Sequence, residues 1–389
     1  MKENVRLGRI AGVAVGFSWT LLLFAGVLAL LLGGGRFPVD APGYSGSAYV
    51  LAGVVTALAF LAGELAHEIS HALVARHEGL KVDGIVLWLM GGYTRISEPP
   101  ETPAQELRIA GAGPLVSLVL GLVCGLAAFV CRDLGVSRLL VSVLEWLGLI
   151  NVLLAVFNML PGSPLDGGRI VHAAVWWRTG DKYRATRAAS RAGWVLGAGL
   201  ILVGVATAFG PFGIDGLWLA MIGGFLMVAS RAEGGAAAIL HSLEGLQAAQ
   251  LMTQPGVGPG WFTVDAFLRD FAGAGTGALR PPAFLLEQWG GGLAGLAPTA
   301  AMEAVPLQQR YHYRASQFAA PLAQLPVFSP EATAVDAVTK MSEKGVNWGL
   351  VVVSGQIVGV LSLEGVQAAA QRVKGPAAVD STRWSLTRG

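Results

Sequence analysis

The segment HEISH, His67 to His71, places two imidazoles and a carboxylate at the end of a long apolar run. Residues four apart lie on one face of a helix about one turn apart, so His67 and His71 can direct nitrogen atoms to a single metal ion. Glu68 would then lie beside that ion, where a carboxylate can take a proton from water and pass it to a leaving amine. This spacing is the H-E-x-x-H pattern of a helical metal site with an adjacent general base.

A second interpretation is that these residues are chance polar side chains, paired with one another or extended toward water from a helix end. An ionisable group in a spanning helix costs about 2.5 to 3.5 kcal/mol on insertion scales, and such groups usually mark function. A divalent cation would pair with the donors and remove much of that cost. The pattern therefore favours a metal site.

Asp166 is the candidate for a third ligand. Two histidines leave a catalytic zinc site incomplete, because such a site has three protein ligands and one open position. In AVFNMLPGSPLDGGRIVHA, two prolines break the helix before the aspartate, and the Gly-Gly pair after it permits a sharp turn. Irregular backbone at membrane depth occurs only where protein or a water-filled cavity surrounds it. An aspartate that only caps the following helix is the alternative.

The composition is that of a membrane protein. Of the 389 residues, 53% are hydrophobic and 13% are charged, which is too apolar and too weakly charged for an ordinary soluble domain. The formal net charge is +2 and no basic cluster lies among aromatic residues, which argues against nucleic-acid binding. Cys124 and Cys131 form no C-x-x-C motif, so they suit buried packing and not a redox or zinc-thiolate site.

Six apolar segments are long enough, or nearly so, for a helix to cross a bilayer, which takes about 20 residues. They lie near residues 11–33, 48–75, 109–131, 139–160, 193–210 and 214–230. The last two are short and meet at GPFGID, so an interfacial hairpin is the alternative there. Fourteen Lys and Arg residues fall in the segments on the N-terminal side of the membrane and three on the other, which predicts that both termini are cytoplasmic. HEISH then lies toward the cytoplasmic end of the second span.

Together these motifs resemble those of the site-2 protease family of intramembrane zinc metalloproteases. HEISH, on an early span, precedes NMLPGSPLDGGR, which is similar to the N-x-x-P and LDG stretch of that family. GGYTRI, residues 91–96, is similar to the Gly-Gly strand after the active-site helix, and AGAGPLVSL, residues 110–118, to the entry into the third span. The resemblance covers most of residues 1–230. It implies an α-helical polytopic membrane fold with a small re-entrant β element.

The resemblance also implies a role for each residue of the site. His67, His71 and Asp166 would bind one Zn²⁺ per chain. Glu68 would be the general base and acid. Asn158 would help to hold the substrate backbone or the oxyanion, and a carboxamide suits that role because it both donates and accepts hydrogen bonds.

Several residues near these motifs are candidates for supporting roles. Gly91, Gly92, Tyr93 and Thr94 would lie in a membrane-dipping strand or re-entrant loop that pairs with an extended substrate, with a plain β-turn as the alternative. Glu64, one turn before HEISH, would either orient a ligand or face the path of water. His172 is expected at the cytoplasmic boundary and not at the metal.

The chain after residue 231 has the character of a water-soluble domain. Residues 318–375 predict, in order, a strand, a helix, two strands and a helix. This β-α-β-β-α order resembles a cystathionine-beta-synthase (CBS) motif, which works in pairs and often binds adenine nucleotides. A degenerate first copy is predicted near 248–305. Glu364 stands where an Asp commonly contacts ribose, whereas Ser362 is compatible with that signature. Adenine-nucleotide binding, homodimer formation and substrate gating are therefore the alternatives.

The predicted organisation combines a membrane part with a soluble α/β part. It comprises a six-span metalloprotease domain at 1–230, a linker helix at 231–246, a CBS domain pair at 247–375 and a flexible tail at 376–389. The expected activity is cleavage, in the plasma or inner membrane, of the transmembrane segment of a single-pass regulatory protein such as an anti-sigma factor. A CBS-regulated channel or transporter is one alternative, although the polar groups converge on two motifs. A catalytically inactive membrane scaffold is another, although Glu68 is present.

Overall fold

The computed structural model describes residues 5–88, 91–96, 99–209, 213–271 and 280–374. The chain divides into two compact units, Met1–Ala237 and Ala238–Gly389. The division falls within the segment predicted to be a linker helix. The predicted tail and the first residues of the GPFGID turn lie outside the described residues.

A four-stranded sheet, and not a helix, begins the first unit. Its strands are β1 (Val5–Ile10), β2 (Val13–Phe17), β3 (Val82–Trp88) and β4 (Gly91–Ile96), in the spatial order β1-β2-β3-β4. β2 runs antiparallel to β1 and parallel to β3, and β4 is antiparallel to β3. GGYTRI therefore forms a strand, as predicted, and not a plain turn. Among the described residues this strand lies at the edge of the sheet.

The predicted start of the first span, at residue 11, is wrong. Ala11 and Gly12 have positive φ angles of 50° and 80° and form the turn between β1 and β2. Val13 and Val15 are buried within the sheet, so their hydrophobicity serves strand packing instead of lipid contact. The first helix that could cross a membrane begins at Trp19. An apolar run by itself does not distinguish a buried strand from the start of a spanning helix.

The described part of the first unit contributes eight helices, the last of which continues into the second unit. α1 (Trp19–Leu31) passes through a π-helical turn at Leu32–Arg36 into α2 (Phe37–Asp40), and the others are α3 (Gly46–His77), α4 (Pro103–Asp133), α5 (Arg138–Asn158), α6 (Asp166–Thr179), α7 (Lys182–Ala208) and α8 (Gly213–Leu243). Counted over these residues, five segments are long and apolar enough to cross a membrane: Trp19–Asp40, α3, α4, α5 and α7. The polytopic helical fold is therefore confirmed. The sixth span, near 214–230, lies within α8 and stays a prediction.

Glycines bring the membrane-crossing helices close together. Gly53 of α3 packs so tightly on the end of the first helical segment that a Cβ there would lie 3.2 Å from Gly33 Cα. Gly121 of α4 meets α5 in the same way, 3.0 Å from the backbone oxygen of Gly148. Small residues permit such approach between helices in lipid. Large apolar side chains of the same helices are exposed, among them Leu30, Leu51, Leu126 and Leu202.

The second unit contains two copies of one motif. The first copy consists of α9 (Ala248–Leu251), β5 (Gly256–Pro259), α10 (Val264–Asp270), β6 (Ala283–Glu287), β7 (Leu293–Pro298) and α11 (Thr299–Glu303), and the second of β8 (Val327–Phe328), α12 (Ala334–Glu343), β9 (Trp348–Val353), β10 (Gln356–Ser362) and α13 (Leu363–Lys374). In each copy the first two strands are parallel and the last two antiparallel. The predicted β-α-β-β-α order is confirmed. Leu285, Leu296, Leu350 and Val360 form a core that the two sheets share.

Candidate active site

Helix α3 buries the polar side chains of HEISH. His67, Glu68 and His71 expose only 4%, 8% and 5% of their surface. Asp166, the first residue of α6, reaches the same point from 99 positions further along the chain. Two separate parts of the sequence thus supply one polar cluster.

The three predicted ligands have the geometry of a tetrahedral metal site. Nε2 of His67 lies 3.2 Å from Nε2 of His71, and Oδ2 of Asp166 lies 3.3 Å from the former and 3.4 Å from the latter. Atoms bound about 2.0 to 2.1 Å from a tetrahedral zinc ion lie about 3.3 to 3.4 Å apart. Burial would raise the pKa of the Asp166 carboxyl, but the two imidazoles hold it below its ordinary value, so the group is a carboxylate. The donor set therefore fits the predicted metal.

Helix α4 orients the two imidazoles. Nδ1 of His71 lies 2.7 Å from the backbone oxygen of Ile109, and Nδ1 of His67 lies 2.9 Å from Oγ of Ser117. Because a carbonyl oxygen only accepts, Nδ1 of His71 carries the hydrogen and Nε2 keeps its lone pair for a metal. Partners of this kind fix both the tautomer and the orientation of a metal-binding histidine.

Gly113 of α4 lies directly against the donor nitrogens. A Cβ at this position would be less than 3.0 Å from Nε2 of both His67 and His71, and 2.7 Å from Cδ2 of His67. Ordinary Cβ contacts are 3.4–4 Å long. Only a residue without a side chain therefore lets α4 approach the cluster without displacing the imidazoles.

The edge strand β4 holds Glu68. Oγ1 of Thr94 donates a hydrogen bond of 2.9 Å to Oε2 of Glu68 and lies 3.2 Å from the backbone oxygen of the same residue. Gly92, two residues earlier, also faces Glu68, because a Cβ there would be 2.9 Å from Cδ of the carboxyl group. The candidate base is thus fixed beside the ligand cluster.

Helices α7 and α8 fix the loop that carries Asp166. The backbone N–H of Ser163 donates to the oxygen of Ala189 on α7 at 3.2 Å, and Oγ of Ser230 on α8 donates to the oxygen of Ser163. Gly193 of α7 packs against the same loop, since a Cβ there would lie 2.9 Å from the backbone nitrogen of Ser163. These helices therefore position Asp166, the third candidate ligand, and their described residues contribute no side chain to the cluster.

The remaining predicted residues lie on three helices, α3, α5 and α6. Asn158 is the last residue of α5 and is half-buried. Glu64 is half-buried on α3 and faces β4, where a Cβ at Gly91 would lie 3.9 Å from its Oε2. His172 of α6 lies 2.6 Å from Oε2 of Glu106 on α4, measured from Nδ1. Over the described residues, the group of His, Cys, Asp and Glu side chains close enough to hold one metal ion consists of His67, His71 and Asp166.

Sequence reasoning did not predict the contacts that hold the candidate site residues in place. Gly113 and Ser117 both lie in AGAGPLVSL, and Thr94 lies in GGYTRI, so the motifs themselves were visible. The contacts arise only when α4 and β4 pack against α3, and spacing along the chain does not specify that packing.

Comparison with known proteins decides the family. The model of peptidase family M50 matches residues 55–133 and 133–202, which include all three clustered ligands. A protein of Mycobacterium tuberculosis that is named as a zinc metalloprotease, Rip3, is 40% identical over 276 residues, which cover 70% of this chain and 69% of that protein. The chain belongs to peptidase family M50. A zinc metalloprotease of Synechocystis is 35% identical to this M50 chain over 252 residues, 64% of each protein.

Two solved structures are also similar to this M50 chain. The site-2 protease from Methanocaldococcus jannaschii has 25% identity and a TM-score of 0.40, covering 59% of this chain and 94% of that one. The CBS domain of a bacterial CNNM/CorC family Mg²⁺ transporter in complex with ATP has 15% identity and a TM-score of 0.26, covering 35% of this chain and 97% of that one. Membership of M50 makes the protein a metalloprotease, which confirms the resemblance drawn from its motifs.

Proposed function

We propose that the protein is an intramembrane zinc endopeptidase that cleaves the transmembrane segment of a membrane-anchored regulatory protein. The observation that carries the proposal is the convergence of three donor atoms, 3.2 to 3.4 Å apart. Two of these donors lie on a helix that is long and apolar enough to cross a membrane. A hydrolytic site on such a helix suits a substrate that is itself in the bilayer.

Each polar residue of the cluster has a proposed part in hydrolysis. His67, His71 and Asp166 would hold one zinc ion, which when bound supplies a Lewis acid for the substrate carbonyl and the attacking water. Glu68 accepts a proton from that water and transfers it to the leaving amine. Asn158 holds the carbonyl oxygen or the adjacent backbone of the substrate, because its amide group can donate and accept.

The substrate is proposed to bind as an extended segment along β4. The peptide groups of a transmembrane helix are hydrogen-bonded internally, so the helix must open locally before hydrolysis. Gly91, Gly92 and Tyr93 lie in the edge strand whose Thr94 contacts Glu68. An edge strand offers backbone donors and acceptors to an extended peptide, which supports the substrate-binding role of these residues.

The charge distribution supports a location in the cell membrane with both termini in the cytoplasm. The cut would then fall near the cytoplasmic leaflet, and another protease would first trim the ectodomain of the substrate. A single-pass anti-sigma factor is a target of this kind. The C-terminal pair of motifs would serve homodimer formation, substrate gating or adenine-nucleotide binding, and Glu364 departs from the usual ribose contact of a nucleotide site.

Glu68→Gln tests the proposal because it removes the base and keeps the size of the side chain. The purified wild type should cleave a single-pass substrate and contain one zinc ion per chain. Glu68→Gln should keep the zinc, and its kcat should fall by about 10² to 10⁴. Glu343→Gln, an exposed substitution at the end of α12, is the matched control and should behave as the wild type does.

Three results would contradict the proposal. Cleavage by Glu68→Gln at the wild-type rate would reject the role of the base. A wild type that binds zinc but cleaves no transmembrane substrate would favour the scaffold alternative. Ion flux through reconstituted protein, without any cleavage, would favour the channel or transporter.

A further inference from the structure

One face of β4 is directed at a single side chain of α3. Gly92 and Thr94 are two residues apart, so they lie on the same face of the strand. Both contact Glu68: Thr94 through a 2.9 Å hydrogen bond to Oε2, and Gly92 through its bare Cα, where a Cβ would be 2.9 Å from Cδ. Two independent contacts therefore join the candidate base to the strand.

We propose that Thr94 is a positioning residue that orients the Glu68 carboxylate for proton transfer, and that β4 thereby couples substrate pairing to the base. The inference rests on the proposed function, in which β4 receives the substrate and Glu68 moves the proton. The Thr94 hydroxyl occupies Oε2 and leaves Oε1 to face the attacking water.

The chemistry of Glu68 requires such a partner. A glutamate side chain has three rotatable torsions, and a base must lie within about 2.6 to 3.2 Å of the proton that it takes. A hydrogen bond to a carboxylate is charge-assisted and roughly twice as strong as a neutral one, so a single hydroxyl can select one orientation. Glu68 is 8% exposed, which leaves little bulk water to compete with Thr94.

The topology of the sheet explains how a bound substrate would affect the contact between Thr94 and Glu68. β4 pairs with β3 through Leu87↔Gly92 and Ile85↔Thr94, and in the described part of the sheet its other edge has no strand partner. A substrate segment added at that edge would share β4 with Glu68. Pairing would hold β4, and with it the Thr94 hydroxyl, in a fixed position relative to α3.

The test compares Thr94→Val, which removes the hydroxyl and keeps the shape, with Thr94→Ser, which restores the hydroxyl. Thr94→Val should lower kcat by about 10- to 100-fold, since a misplacement of about 1 Å at a reacting group can cost 10²-fold. KM should change by less than about threefold, and the zinc content should stay at one per chain. Thr94→Ser should recover most of the wild-type kcat.

Thr56→Val is the matched control. Thr56 is fully buried in the same helix as Glu68, and its hydroxyl donates to the backbone oxygen of Ala52 at 2.7 Å. Loss of that hydroxyl should leave kcat, KM and zinc content unchanged. If Thr94→Val does not accumulate in the membrane, Thr94→Ala serves in its place with the same expected results.

A second readout does not depend on catalysis. Thr94→Val placed in the Glu68→Gln background should retain as much transmembrane substrate on co-purification as Glu68→Gln alone, because the hydroxyl orients the base and does not bind the substrate. Weaker retention would overturn the assignment.

The outcomes separate this inference from the proposed function. Wild-type kcat in Thr94→Val, loss of its zinc, or failure of Thr94→Ser to recover activity would each overturn the role of Thr94 while Glu68→Gln remains inactive and the proposed function stands. Cleavage by Glu68→Gln, or no cleavage by the wild type, would instead overturn the proposed function.

Discussion

Gly113→Ala is predicted to weaken zinc binding by displacing the imidazoles. The new methyl group would lie 2.7 Å from Cδ2 of His67 and nearer still to Nε2 of that ring, and ordinary contact begins at 3.4 Å, so the ring must move by more than about 0.7 Å. The ring of His71 faces the same group at less than 3.0 Å. Hydrogen bonds from Nδ1 of each ring, to Ser117 and to the oxygen of Ile109, oppose any rotation that would relieve the contact.

The size of the effect follows from the displacement. Functional groups at a preorganised site must lie within about 0.5 Å of their productive positions. Inserting a methyl group into a packed site costs about 1 to 3 kcal/mol, and 1.4 kcal/mol is tenfold in a binding constant. We therefore expect the zinc affinity of Gly113→Ala to fall by about 5- to 150-fold.

Competition with a chelator on the purified protein in detergent measures this affinity. Gly111→Ala is the control, because Gly111 lies one half-turn earlier in α4 and a Cβ there would meet no atom within 4 Å. It should bind zinc as the wild type does. Thermal unfolding of the metal-free proteins shows whether either variant is destabilised as a whole. Wild-type affinity in Gly113→Ala, or an equal loss in both variants, would refute the reasoning.

Three further substitutions probe the same cluster. Asp166→Ala removes a ligand, so metal analysis should find less than one zinc per chain; full occupancy would exclude Asp166 as a ligand. Ser117→Ala removes the partner of His67 Nδ1 and should lower zinc affinity by about 10- to 100-fold, the usual effect of losing such a partner; unchanged affinity in the chelator assay would assign the orientation of that ring to other contacts. Gly193→Ala adds a methyl group 2.9 Å from the backbone nitrogen of Ser163, in the loop before the aspartate, and should also weaken zinc binding, whereas Gly199→Ala meets no atom within 4 Å and should not. Equal zinc affinities in these two α7 variants would argue against the conclusion that α7 positions the loop that carries Asp166.

The convergence of the three candidate ligands was predictable because local rules determine most of it. The four-residue spacing of His67 and His71 defines one helix face whatever the rest of the fold, and the prolines and glycines around Asp166 mark a broken segment of the kind that protein or a water-filled cavity must surround. The repeated strands and helices of the second unit were predictable for a similar reason. The alternation of apolar residues and the turn signals that indicate them are local features of the sequence.

The features that were predicted wrongly, or not predicted at all, depend on contacts between segments that are distant in the sequence. Val13 and Val15 are apolar enough for a spanning helix, and only their pairing with β1 and β3 makes them a strand. Thr94 and Glu68 are 26 positions apart, and neither residue type indicates the other as its partner. In the sequence, Gly113 is one of several small residues in a membrane helix, and nothing marks it as special. Its contact with both imidazoles exists only after α4 packs on α3.

The 99 positions that separate His67 from Asp166 have a consequence for biogenesis. A ribosome releases the histidine pair long before it has made the aspartate, and α4 and α5 must be threaded into the bilayer in between. A nascent chain therefore carries two donors and no complete site until most of the membrane part has been synthesised. The order of synthesis therefore makes the assembly of this cluster one of the last steps in building the membrane part of the chain.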